Sequence, residues 1–305
     1  MEKLIQTAET LMPFEHFDAL GIGVINFAQG KFQSFETLKN EEKPLTQSPG
    51  VIYYDLASLT KPLTNSLSYF LDPANFDKNL QACLNHQAGI PSWGLLPRVG
   101  WKEQILSYKI TPDSPTLYSD FSALRVMLEL EKIGINQKKI CSTIWDKETL
   151  FWRDLPVGAP LIQYGFKNGE ANFGEVHDPN AWVIGEFCSH AGLFSTLPGL
   201  CRSLINYQIQ TDFISKIAKV SESHPHRFIY GWDRVEDISK TLAGSGCGKK
   251  TFGHLGFTGT SIWIDPDRMV GHVILSNATK YYWYDKQGLN ELRRAIGELI
   301  WSGQF

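Results

Sequence analysis

Strand-like sequence lies at both ends of this chain, with a mostly helical stretch between. Near the start, GIGVINFAQGKFQSFETL reads as two strands around the turn Ala28-Gln29-Gly30. Near the end, HLGFTGTSIWIDPDRMVGHVILSNA holds two apolar runs around Asp265-Pro266-Asp267, a hairpin pattern. Segments so far apart satisfy their backbone groups most simply by joining one sheet, so the middle becomes an insertion beside it. The fold class expected is α+β: an antiparallel sheet flanked by terminal helices, with a mostly helical insertion. The predicted division is 1–71 with 191–305 for the sheet domain and 72–190 for the insertion. A cleft is expected where the two meet.

The helical signals agree. Leu4, Ile5, Ala8, Leu11 and Met12 recur at helical spacing and predict an amphipathic helix ending near Pro13. SALRVMLELEKIG has a 3-4 rhythm and ends at Gly134, a suitable C-cap. GLNELRRAIGELIWS closes the chain as another amphipathic helix. With 305 residues, 43% of them hydrophobic, the chain has ample material for a large core.

Composition narrows the function classes. The net charge is −3 and no basic stripe occurs, so no nucleic-acid partner is expected. No apolar run approaches the ~20 residues of a membrane span, so no membrane partner is expected. The N-terminus lacks the apolar core and cleavage site of a secretory signal. The five cysteines are an odd number with wide spacings and no C-x-x-C, which argues against a disulfide framework and a zinc site. Reduced thiols in a cytoplasm fit best. The sequence carries no signal of an oligomeric state.

The stretch DLASLTKPLTNSL holds the chemistry-bearing spacing. Ser58 and Lys61 are three residues apart, which on a helix puts them on one face with Cβ atoms roughly 5–6 Å apart. Pro62 is tolerated only near a helix start, so Ser58 is expected at the N-terminus, where free N–H groups favour developing negative charge. Ser58 is therefore either an ordinary N-cap or a nucleophile with Lys61 as its base. Two further elements follow in order. LYSDFSALRV gives Tyr118-Ser119-Asp120 at a helix start, and KKTFGHLGFTGTSIW gives His254-Leu255-Gly256 on a strand.

S-x-x-K, then Y-x-[ND], then H-x-G resembles the motif set of the serine β-lactamase and penicillin-binding-protein superfamily. The nearest likeness is to its class C-like branch of β-lactamase-related hydrolases and esterases. GEVHDPNAWVIGEFCSHAGLFST and LQACLNHQAGIPSW resemble segments common in that branch. The resemblance runs from about residue 20 to 300. It implies that Ser58 forms an acyl-enzyme, that Lys61 takes or relays its proton, and that Tyr118 shuttles protons. It implies an oxyanion hole from the N–H groups of Ser58 and Phe257, with Phe257 on the strand beside Gly256. Asp120, His254, Gly256 and Thr258 would line the substrate site. No metal or organic cofactor is implied.

Three residues depart from the pattern. Asp120 replaces an asparagine, which removes an amide donor and adds a charge expected to hold Lys61 protonated. His254 replaces a lysine, and Leu255 replaces a Ser or Thr that often binds a β-lactam carboxylate. The expected substrate is thus a small-molecule carboxylic ester, then a D-amino-acid amide or peptide, then a β-lactam. The alternative is a catalytically weak ligand-binding or sensing module on the same fold. Other polar groups have structural readings. His177 and Asp178 read as a pair that either borders the cleft or stabilises a loop, and His190 reads as a structural hydrogen-bonding residue. His224-Pro-His226 reads as an exposed loop. Trp93, Trp263 and Tyr281-Tyr282-Trp283-Tyr284 either pack or rim the pocket.

Overall fold

The computed structural model describes residues 1–12, 16–40, 43–47, 52–281 and 285–303. Tyr282, Trp283, Tyr284 and Pro13 lie outside the described residues.

Helix α1 (Glu2–Leu11) leads into strands β1 (Ala19–Asn26), β2 (Lys31–Asn40) and β3 (Lys43–Gln47). The short strand β4 (Tyr54–Asp55) precedes a helical run from Ala57 that ends in α2 (Leu67–Leu71). Between them and the C-terminal strands come α3 (Lys78–Leu84), α4 (Trp101–Ser107), α5 (Asp120–Lys132), α6 (Gln137–Ser142) and α7 (Pro179–Ile184). The same region holds β5 (Thr149–Phe151), β6 (Gln163–Lys167) and β7 (Glu170–Phe173). Strand β8 (Leu193–Ser195) is followed by α8 (Leu197–Thr211) and α9 (Phe213–Ser221). The chain closes with β9 (Phe228–Ile229), β10 (Trp232–Arg234), β11 (Phe252–Leu255), β12 (Ser261–Asp265), β13 (Val270–Ser276) and α10 (Gln287–Trp301).

The two ends do share one sheet. Its order is β3-β2-β1-β13-β12-β11-β10-β9, with every neighbouring pair antiparallel. β1 and β13 join the termini in a ladder from Leu20 opposite Ser276 to Asn26 opposite Val270. The hairpin expected around Asp265-Pro266-Asp267 is β12–β13. A second sheet, β4-β8-β5, lies where the start of the Ser58 segment meets the middle of the chain.

Both faces of the large sheet are buried, and the period-two alternation of β1 explains how. Leu20, Ile22 and Val24 point into a core with α1 (Leu4, Ala8) and α10 (Leu292, Ile296). Gly21 and Gly23 point the other way, under α8. A Cβ on Gly21 would lie 3.2 Å from Leu197, and one on Gly23 would lie 2.7 Å from the Cys201 Sγ. The two glycines let α8 sit close against the strand. On β13, Ile274 joins the terminal-helix core while Val273 and Leu275 join the larger one beneath α8. That larger core also takes in Phe121, Leu124 and Leu128 of α5 and Trp145, Phe151 and Trp152 after α6.

Gly23→Ala should therefore cost about 1–3 kcal/mol by overpacking against Cys201. The check is the urea midpoint of unfolding. The Cys201→Ala change added to Gly23→Ala should recover part of the loss, and an unchanged midpoint in the single variant would contradict the packing argument.

Candidate active site

The segment carrying Ser58 is held by a set of hydrogen bonds around Asp55. The Asp55 carboxylate accepts from the Ala57 N–H (2.8 Å) and from the His177 N–H (2.7 Å). The Asp55 carbonyl accepts from the Thr258 hydroxyl (2.7 Å), and the Leu56 carbonyl from the Thr260 hydroxyl (3.1 Å). Burial raises the Asp55 carboxyl to about 6, against the two N–H bonds that favour its charge. Ala57 has φ +46, a left-handed conformation that an alanine adopts only where neighbours hold it. The helical run then begins at Ala57–Leu59 as a tight 3-10 turn.

Pro62 lies deeper in this run than the sequence suggests. Its ring would crowd the carbonyl four residues back, at Ser58. The chain answers by widening into a π-helix over Pro62–Ser66 before resuming α geometry in α2. Ser58 is half-buried in the first turn, not a side-chain cap.

Ser58 and Lys61 meet as their spacing predicts. Lys61 Nζ donates to Ser58 Oγ (3.0 Å) and to the His190 carbonyl (3.0 Å), and forms an ion pair with Asp120 (2.6 Å). Lys61 is 3% exposed. Burial pushes its pKa down, but the Asp120 charge, then Tyr118, outweigh burial and hold it well above the ordinary lysine range. The Lys61 ammonium lies 5.0 Å from the Tyr118 ring centroid. Burial and the Asp120 charge push the Tyr118 phenol up, while Lys61 and Ser58 pull it down.

Tyr118 and Asp120 are placed by the loop after α3. Ser119 caps α5, its Oγ accepting from the Ser122 N–H (2.8 Å) and donating to the Pro91 carbonyl (2.6 Å). The Ser119 N–H donates to His86 Nδ1 (3.2 Å), and the Asp120 N–H to the Ser92 carbonyl (2.8 Å). The His86 ring lies 4.6 Å from that of Tyr118, and the His254 ring 5.9 Å from it. Both imidazoles are buried and kept neutral, His254 down to about 3 by burial and then by Lys61.

Several expectations change. Phe257 is not on a strand: β11 ends at Leu255, and Gly256–Gly259 turn back, with the Gly256 N–H donating to the Thr260 carbonyl (2.8 Å). Gly256 does allow a close approach, since a Cβ there would lie 1.9 Å from Thr260 Oγ1 and 2.7 Å from the Leu56 carbonyl. Thr258, expected at the substrate, is buried with its hydroxyl committed to Asp55. The carboxylate of Asp120 is turned to Lys61. His254, also expected to face substrate, is buried with its Nδ1 bonded to the Leu255 carbonyl (2.9 Å). Asp178 pairs with His190 (2.9 Å), and the His177 ring packs 5.6 Å from Phe257. Trp263 is buried in the terminal-helix core, and His224 Nε2 donates to the Phe228 carbonyl (2.9 Å). Trp93 and Tyr281 are about half exposed.

Sequence reasoning passed over Asp55 as a hub. Its signal was present: an aspartate two residues before a helix start, the pattern of an Asx turn. The His190–Asp178 pair had no such local signal.

That pair supports the site, because the His190 carbonyl holds Lys61. Burial pushes His190 down from 6.5, but the Asp178 charge prevails and raises it to about 10. His190 in turn holds Asp178 below its usual 3.8, against burial. The raised histidine contributes stability fully below pH 6.5 and loses it as pH rises through about 10. The lowered aspartate contributes above pH 3.8 and loses it as pH falls further. Asp178→Asn should therefore cost about 3–5 kcal/mol, the range for breaking a buried pair. The difference from the parent in denaturant unfolding should be widest between about pH 4 and 6.5 and narrow toward pH 10. A difference independent of pH would contradict the pairing.

Solved structures match this fold along nearly the whole chain. A class C β-lactamase from Rhodobacter sphaeroides superposes with a TM-score of 0.63 at 14% identity, covering 97% of this chain and 98% of that one. A β-lactamase/D-alanine carboxypeptidase from Pseudomonas syringae gives 0.62 at 14%, covering 96% and 97%. A mutant simvastatin synthase from Aspergillus terreus gives 0.63 at 13%, covering 99% and 97%. No family model matches the chain, and no curated protein matches it in sequence. Among the described residues no helix is long and apolar enough to cross a membrane. These superpositions carry one fold along nearly the whole chain: it has the fold of these β-lactamases.

Proposed function

We propose that the chain is a serine hydrolase that acts by acyl transfer through Ser58, on a small carboxylic ester or amide. The observation that carries this reading is the 3.0 Å bond from Lys61 Nζ to a half-buried Ser58 Oγ at the start of a helical run. The same fold in a β-lactamase/D-alanine carboxypeptidase supports a carbonyl substrate. Because Lys61 donates to Ser58, the hydroxyl hydrogen of Ser58 passes to the Tyr118 oxygen while Tyr118 gives up its own phenolic hydrogen toward the leaving group. Ser58 Oγ then bonds the carbonyl carbon, and the N–H groups of Ser58 and Phe257 hold the oxyanion. The hydrogen that Tyr118 gives up goes to the leaving alcohol or amine, and the phenol is left neutral again with the hydrogen from Ser58. Water then attacks the acyl carbon through the reverse relay, its hydrogen passing to Tyr118 as the phenolic hydrogen returns to Ser58 Oγ, and the acid is released. The chemistry proposed is self-sufficient and takes no cofactor.

Two features bear on the substrate. Both imidazoles near Tyr118 are neutral, so His254 offers no fixed cation to a carboxylate, and Leu255 offers no hydroxyl. An uncharged ester fits better than a β-lactam. One observation favours a catalytically weak binding module instead: the 2.6 Å Asp120–Lys61 pair keeps the lysine protonated, which blocks it as a base.

The direct test is intact mass after treatment with a fluorophosphonate serine probe. One adduct is expected, and it should vanish in Ser58→Ala with the thermal midpoint nearly unchanged. A folded parent that takes no adduct would favour the binding module. Asp120→Asn removes the charge that raises Lys61, so the pH–rate profile should move to lower pH. A profile that stays in place would remove Asp120 from the chemistry.

A further inference from the structure

A cavity of about 450 Å³ is lined in part by His177, whose backbone N–H bonds the Asp55 carboxylate. Its walls include Phe166, Lys167, His177, Trp182 and Tyr281. Three of these are aromatic side chains that a folded chain would ordinarily bury, yet Phe166 is 64%, Tyr281 50% and Trp182 36% exposed. Their rings come from three separate pieces of chain: the β6–β7 hairpin, α7, and the segment after β13. Aromatic rings gathered on a concave surface with few polar groups are the usual lining of a small-molecule site.

The cations around it are already engaged. Lys167 bonds the Val176 carbonyl and lies 4.9 Å over the Trp182 ring, and Lys280 pairs with Asp18. Glu175 accepts from Trp182 Nε1 (2.9 Å). Burial lowers Lys167 to about 8, which further weakens it as an anion receptor. The cavity therefore suits an uncharged aromatic ring more than a carboxylate or a phosphate.

Its place relative to Ser58 follows from ring contacts. Tyr118 packs with His86, Phe228 and His254. Phe257 packs with His177, which lines the cavity, and lies under the Lys286 ammonium at 4.0 Å. In the proposed reaction the leaving group departs on the Tyr118 side, where it collects its proton. The N–H of Phe257 is the proposed oxyanion donor, so the acyl half extends past Phe257 and its neighbour His177. We infer that the Phe166–Trp182–Tyr281 cavity binds an uncharged aromatic ring carried on the acyl half of the substrate. This rests on the acyl-transfer reading of Ser58, and it makes the substrate class an aryl-substituted carboxylic ester.

The test uses two esters with one leaving group, 4-nitrophenyl acetate and 4-nitrophenyl 3-phenylpropanoate. The parent protein should prefer the phenylpropanoate in kcat/KM by tenfold or more. Trp182→Ala and Phe166→Ala should each reduce that ratio at least threefold, and the ratio cancels any change in the shared chemistry. A ratio that survives both substitutions would overturn the inference while leaving Ser58 as nucleophile. A second measurement is independent of turnover: titration of Ser58→Ala with 3-phenylpropanamide, read by tryptophan fluorescence. Saturable quenching that disappears in Ser58→Ala/Trp182→Phe is expected. Absence of quenching in a folded Ser58→Ala protein would overturn the cavity assignment whatever the parent hydrolyses, and quenching without ester turnover would instead count against the acyl-transfer reading alone.

Discussion

The site depends on how three residues before Ser58 are fastened. Asp55 and Leu56 present their carbonyls to the hydroxyls of Thr258 and Thr260, and the Asp55 carboxylate caps Ala57 and His177. These bonds tie the start of the Ser58 helix to the turn after β11 and to the loop before α7. They also hold Ala57 at positive φ, which turns the chain sharply into the helix. A strained backbone of this kind persists only when its surroundings over-determine it, and four hydrogen bonds converge to do so. Glycine 256 makes the approach possible, because any larger side chain would meet the Leu56 carbonyl.

A buried cation forms the second layer. Lys61 has three acceptors, Ser58 Oγ, the His190 carbonyl and Asp120, and each fixes one direction of its ammonium. The His190 carbonyl is fixed in turn by the buried His190–Asp178 pair. Lys61 is therefore rigid and charged in this state. A rigid ammonium beside a serine and a tyrosine stabilises negative charge on either oxygen, which suits acyl transfer through Tyr118 better than direct proton uptake by the lysine. The Asp120 carboxylate sets how strongly that charge is held.

Much of this was legible in the chain. The terminal strands and helices declared themselves through apolar runs bounded by turns and through 3-4 patterns. Ser58, Lys61, Tyr118 and Asp120 converge as their spacing and order suggested. The misplacement of Phe257 has a simple cause: an apolar residue next to a strand looks like strand, while the turn is set by Gly256 pairing back to Thr260. The partner that the Asp178 carboxylate takes, His190, lies on a different loop and left no local mark in the sequence.

The sequence by itself determined the sheet, its covering helices and the serine–lysine geometry, because each arises from short-range periodicity or from spacing within one turn of helix. Tertiary structure alone decided the Asp55 latch, whose partners are 122 to 203 residues away, and the choice of Asp178 as partner for His190. It alone gathered Phe166, Trp182 and Tyr281 around one cavity. Contacts of that range leave no periodic trace in a chain, since they depend on which loops the finished sheet brings together.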